Sequence, residues 1–268
     1  MKLAPASREY QELYSYAQKR YKGTLDFDVA FRLWFELPDF KANENIYDVL
    51  GKDANMVYND SVHNIVRSAT GFYLEKAFKA MKIDFNDPNI AENLADGNIG
   101  TPGRLAKVWV GANTNDDTEL GVGRWSKKPR IASFPNTNTN TKIPITKRVD
   151  LISNCSHHFI TFSTLARTDS YAIISYIPDE YVLGISKLQR LNDWISKRFW
   201  LQEDLTLAIY KEICEVARTE SVYVKVVNAV HGCEFFRGAQ SRDGSFSSEM
   251  YGGKFEDTTM REQVDRSI

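Results

Sequence analysis

Tyr223-Val-Lys-Val-Val-Asn-Ala-Val-His231-Gly232-Cys233 is a run of β-branched and aromatic residues that ends in an imidazole and a thiol. Such residues suit a pleated, half-buried surface, so the run predicts a strand. Positions two apart on a strand point to the same face, and His231 and Cys233 are expected to enter one cleft. A second stretch, Cys155-Ser156-His157-His158, carries the same chemistry. The chain holds three cysteines and four histidines, and these two stretches take two of the cysteines and three of the histidines. Thiolate and imidazole are the ligands a borderline-soft ion such as zinc prefers, and three protein ligands with a fourth position open is the catalytic arrangement. Cys155 and His158 lie three apart, which regular strand geometry puts on opposite faces. A shared ligand role therefore asks for a strand end or a bulge there. Singly, each residue reads as a buried thiol or a satisfied core histidine; their concentration in two short stretches argues for a joint site.

With 268 residues and 43% hydrophobic content, the chain is long enough for one large domain or two small ones around a full core. A net charge of -1 argues against a general polyanion binder, so no nucleic-acid partner is expected and phosphate recognition must come from a local cluster. Three cysteines make no disulfide framework, and no apolar stretch reaches the roughly 20 residues of a membrane span. The start, Met1-Lys-Leu-Ala-Pro-Ala-Ser-Arg8, has no apolar core like that of a secretory signal. A soluble protein of the reducing cytoplasm, with no membrane partner, is expected.

Residues 1–60 are expected to form a helical N-terminal extension, with helices over Arg8 to Tyr21 and Asp28 to Glu36 and aromatics that pack internally or cover a neighbouring surface. Residues 61–142 are expected to form a helical region and a long loop. There Val62, Ile65, Val66, Ala69, Phe72, Tyr73 and Ala77 follow the helical period from Asp60 to Met81. Thr101-Pro102 reads as an N-cap followed by proline at the first helical position, and Arg104 and Lys107 then share a face, as a solvated edge or a phosphate clamp. The third segment, 143–268, opens with a hairpin that carries the first cluster. Ser186 and Gln189 have the spacing of a capping box at a helix start, where Lys187 and Arg190 oppose the helix dipole and an anionic partner would explain them. A further helix is expected over Gln202 to Ala217, with Glu203 in its first turn.

Taken together, Thr101-Pro-x-Arg104-x-Ala-Lys107, Cys155-x-His157-His158, Gly184-x-Ser186-Lys187-Leu-x-Arg190, Leu201-Gln202-Glu203-x-Leu205-Thr206 and His231-x-Cys233-x-x-x-Arg237-Gly238 resemble GTP cyclohydrolase I, from about Asp60 to the C-terminus. Each motif alone is modest; all five in this order are specific. The resemblance implies an α+β tunnelling fold (T-fold), an antiparallel sheet plus two helices, preceded by a helical region and assembled into rings. Two pentameric rings would stack into a homodecamer. It implies zinc held by Cys155, His158 and Cys233, with His157 and His231 as proton-transfer and orienting histidines. Glu203 would hold the guanine edge, and Gln202 and Ser186 would help to place base and ribose. Arg104, Lys107, Lys187, Arg190 and Arg237 would bind the triphosphate of GTP, with Arg104 and Lys107 from an adjacent subunit. The implied activity is hydrolytic opening of the guanine imidazole ring with loss of formate, giving 7,8-dihydroneopterin triphosphate, a folate, pterin or 7-deazaguanine precursor.

The chain departs from the family pattern in places. Ser156 stands where a glutamate is usual, Ser245-Phe-Ser-Ser-Glu249 replaces a threonine-rich segment, and the first 60 residues have no counterpart. The alternative these raise is a non-catalytic or altered member that binds a guanine nucleotide or serves as an assembly subunit. A pterin synthase with its histidine-only zinc site, or a nitrile reductase with a nucleophilic cysteine, leaves the paired clusters unexplained.

Overall fold

The computed structural model describes residues 3–114, 119–138, 143–237, 240–241 and 243–268. The chain divides into two compact units, residues 1–127 and 128–268.

The first unit is helical. α1 (Arg8–Arg20) starts at Ser7, whose hydroxyl accepts from the Tyr10 N–H, and α2 (Phe27–Glu36) starts at Asp26. Two short helices, α3 (Ile46–Leu50) and α4 (Ala54–Val57), lead to α5 (Asp60–Ala80), which Asn59 caps. The predicted stripe of α5 is buried at Val62, Ile65, Val66, Ala69 and Phe72, whereas Tyr73 is 39% exposed. Leu13, Ala17 and Phe31 pack on that stripe. The N-terminal aromatics turn inward on one another: Tyr10 and Tyr14 meet Phe31 edge-on at 5.6 and 5.1 Å. Packing within the unit therefore accounts for these rings. α6 (Gly100–Val110) begins two residues earlier than Thr101-Pro102 suggested, with Ile99 at the cap position and no capping side chain. Arg104 instead recruits the Thr101 hydroxyl, donating to it at 2.9 Å and to Asn98 Oδ1 at 2.9 Å.

The second unit is an α+β sandwich of sheet and helices. Short strands β1 (Ser133–Pro135) and β6 (Tyr181–Leu183) pair with each other, so the expected long loop contains a strand. The main sheet contains β2 (Ile145–Val149), β3 (Ile152–Cys155), β4 (Thr161–Ser163), β5 (Tyr171–Tyr176), β7 (Phe199–Trp200), β8 (Val222–His231) and β9 (Phe246–Tyr251). Its order is β2-β5-β8-β4-β3-β7, with β9 also on β8. All these pairs are antiparallel except β3 with β7. α7 (Ile185–Ser196) and α8 (Gln202–Ala217) lay Leu188, Leu191, Ile195, Leu205, Ile209 and Ile213 against Ile174, Val224 and Val226 of the sheet. α8 has the expected bounds. α7 lacks the expected capping box: Gly184 is its cap residue, and Gln189 accepts from the Asp150 N–H at 3.0 Å. α9 (Gly232–Phe236) and α10 (Thr258–Arg266) complete the chain.

Candidate metal centre and its cleft

Three strand pairings bring the two clusters together. β3 and β4 form a hairpin whose loop is Ser156 to Phe159, closed by Cys155 N–H on the Ile160 carbonyl and Phe159 N–H on the Cys155 carbonyl, each at 2.8 Å. Phe159 takes φ +55°, so the chain reverses sharply there. Cys155 is thus the last residue of a strand and His158 lies in the turn beyond it, which meets the requirement that their spacing imposed. β3 runs parallel to β7 with Cys155 opposite Trp200, and α8 starts two residues later with Gln202 and Glu203. On the other side β4 pairs with β8, placing His231 opposite Phe162.

The expected strand geometry at the second cluster does not extend to Cys233. β8 ends at His231 and α9 begins at Gly232, so a one-turn helix aims the thiol. A Cβ on Gly232 would lie 2.6 Å from Ile160 and 2.9 Å from the Thr161 carbonyl, and only glycine permits so close an approach of α9 to β4.

The ligand atoms of Cys155, His158 and Cys233 all lie within 4.8 Å of one another. Cys155 is buried, Cys233 half-buried and His158 exposed. Burial, and then the neighbouring Cys155 sulfur, push the Cys233 thiol above its usual range. Two thiolates this close repel unless a cation lies between them, so the donor set suits a metal ion that takes sulfur and nitrogen ligands.

Beside this group is a cleft of about 520 Å³, lined in part by Cys155, His157, Gln202, Glu203, His231 and Cys233. His231 stacks flat on Phe162, with ring centres 4.5 Å apart and planes 1° from parallel, and Phe246 meets it edge-on at 5.1 Å. Its Nε2 is 2.7 Å from Gln202 Oε1. Burial lowers the His231 pKa, and the Glu203 carboxylate acts against that shift.

The remaining candidates lie elsewhere. Ser186 and Arg190 are exposed on α7, and neither they nor Lys187 and Arg237 line the cleft. In the first unit Lys107 pairs with Glu119 at 3.3 Å, and Arg104 also donates to the Asn89 carbonyl at 2.7 Å. Gly238 lies outside the described residues. Sequence reasoning missed Phe162, Glu234, Phe246 and Ser248. Phe162 and Phe246 look like ordinary strand residues, and the Ser245–Glu249 segment carries no signal in the sequence beyond its departure from a family pattern.

A mixed α+β unit with a Cys-His-Cys group that could hold a metal ion, beside a histidine- and glutamate-lined cleft, defines a candidate metal-site protein. Comparison with known sequences narrows that class. The GTP cyclohydrolase I family pattern matches residues 88–268. A GTP cyclohydrolase 1 of Flavobacterium johnsoniae is 30% identical over 229 residues, covering 83% of this chain and 95% of that protein. The GTP cyclohydrolase 1 of Blochmanniella pennsylvanica is 32% identical over 164 residues, 61% of this chain and 68% of the relative. That of Salmonella gallinarum is 27% identical over 197 residues, 73% and 79% of the two chains. The chain belongs to the GTP cyclohydrolase I family, and its second unit has the antiparallel sheet and paired helices expected of the T-fold.

Proposed function

We propose that this chain is a GTP cyclohydrolase I, opening the guanine imidazole ring of GTP with water and releasing formate to leave 7,8-dihydroneopterin triphosphate. Family membership supports this, and the observation that carries it is the convergence of Cys155, His158 and Cys233 beside the cleft that His231 and Glu203 line.

Cys155, His158 and Cys233 would hold zinc, whose ligand preferences fit two sulfurs and an imidazole. Bound there, zinc would supply a water that loses its proton near neutral pH. Glu203 accepts from the N1–H and 2-amino group of guanine; adenine offers no such pair and would leave the carboxylate unpaired, which rejects it. His157 and His231 give and take protons at the purine ring as its bond opens. Ser186 contacts the ribose, and Lys187, Arg190 and Arg237 bind the triphosphate through charge-assisted hydrogen bonds. Arg104 and Lys107 come from an adjacent subunit of a ring, and two such pentameric rings stack into a decamer. The three cysteines are unpaired thiols, which suits the reducing cytoplasm, and among the described residues no helix is long and apolar enough to cross a membrane.

Incubating the protein with zinc and GTP tests the proposal. Neopterin fluorescence after oxidation and dephosphorylation of the product, together with stoichiometric formate, is the expected result. GTP binding by metal-replete protein with no pterin product would overturn it in favour of a non-catalytic role, which Ser156 in place of the usual glutamate motivates.

A further inference from the structure

Gln202 and Glu203 follow one another at the start of α8, but only Glu203 is exposed; Gln202 is 4% exposed. Its amide is used inside the unit. The nitrogen donates to Ser248 Oγ at 3.0 Å and to the Phe246 carbonyl at 3.3 Å, and the oxygen lies 2.7 Å from His231 Nε2.

The donor pattern follows from chemistry. A backbone carbonyl only accepts, so the amide nitrogen faces Phe246 and the amide oxygen faces the imidazole. An amide oxygen also only accepts, so the hydrogen between them sits on His231 Nε2, and in the neutral ring Nδ1 keeps the lone pair. Two hydroxyls, buried Thr206 and half-buried Ser248, set the direction of the rest. Thr206 donates to the Gln202 carbonyl at 2.9 Å. Ser248, 2.7 Å from Thr206 Oγ1, therefore donates to Thr206 and accepts from Gln202. Each hydroxyl hydrogen is used once, and the set polarises in one sense. Phe162 and Phe246 hold the ring plane meanwhile.

We propose that Gln202, oriented by Ser248 and the Phe246 carbonyl, is a positioning residue that fixes His231 with its hydrogen on Nε2, leaving Nδ1 as the nitrogen that exchanges a proton with substrate. This differs from the sequence expectation, in which Gln202, with Ser186, helps to place base and ribose. It rests on the cyclohydrolase reading only for the identity of the reacting partner.

Kinetics and spectroscopy test it separately. In Gln202→Met, kcat for GTP is expected to fall about tenfold or more, with KM changed less than about twofold. Ser248→Ala should lower kcat several-fold and Ser248→Thr should restore it, because the hydroxyl alone is needed. A larger rise in KM, or an undiminished kcat, would overturn the proposal. Solid-state NMR of 15N-histidine-labelled protein at alkaline pH, with His231 assigned by its loss in His231→Asn, reads the ring without turnover. A pyrrole-type Nε2 and pyridine-type Nδ1 in wild type, mixed in Gln202→Met, is expected. An Nδ1–H ring in wild type, or a ring unmoved by the substitution, sinks the idea even if the protein turns over GTP. The expected spectra in a protein that makes no pterin would instead spare the positioning role and defeat the proposed reaction.

Discussion

The ligand sulfurs of Cys155 and Cys233 lie within 4.8 Å of each other, although the two residues sit on segments that β4 links across the sheet. With His158 they make a donor group whose assembly requires the folded unit. Cys155→Ala should therefore lower bound zinc from about one per chain to near none and abolish formate release, since three-ligand sites do not tolerate the loss of a thiolate. Metal analysis after gel filtration checks this, and undiminished metal content in the variant would remove the site.

His231 lies beside that group without being counted in it. His231→Ala is expected to keep its zinc while losing about 10²- to 10⁴-fold in formate release, the range for a proton-transfer group. Parallel metal and formate assays separate the two effects.

Folding of each unit depends on its own core. Ile209 of α8 is 1% exposed and Phe31 of α2 is 2% exposed. Ile209→Ala should cost about 2–5 kcal/mol and Phe31→Ala about 3–5 kcal/mol, each combining lost burial with a cavity. Urea unfolding followed by tryptophan fluorescence measures both.

Asp60 in the first turn of α5 accepts from the Thr114 N–H at 3.0 Å and the Thr114 hydroxyl at 2.6 Å. Burial pushes the Asp60 carboxyl up, but the Thr114 hydroxyl and backbone bonds outweigh it and hold its pKa below the usual value. A depressed folded pKa means stability present above the unfolded value of about 4 and lost as pH falls through the folded one. Thr114→Val should lower stability at neutral pH and flatten its decline on acidification. Unfolding free energies measured from about pH 6 down to pH 2 decide this, the window being that of an unfolded carboxyl near 4 and a lower folded value.

Gly100 opens α6 at φ +66°, and a Cβ there would lie 2.9 Å from the Ile90 carbonyl and 3.0 Å from the Glu92 nitrogen. Gly100→Ala combines a left-handed backbone with backbone contact and should destabilise the first unit by more than about 1 kcal/mol. A melting temperature equal to wild type would show that the turn relaxes.

The helices over Asp60–Ala80 and Gln202–Ala217 can be read from the chain because the 3.6-residue period writes a buried stripe into neighbouring positions. The two ligand clusters are equally plain, since few residue types bind soft metals. The spacing of Cys155 and His158 even demanded the strand end at which they are found. Local pattern failed where side chains have distant partners. Gln189 answers Asp150 rather than Ser186, and Thr101 serves Arg104 rather than a cap. Which residues share the cleft depends on register: Cys155 against Trp200 brings in Gln202 and Glu203, and Phe162 against His231 brings in Cys233. Register is chosen by burying a whole face of sheet against α7 and α8, a collective energy that no short stretch carries. Residue type thus named the chemistry, and long-range burial selected which atoms meet to perform it.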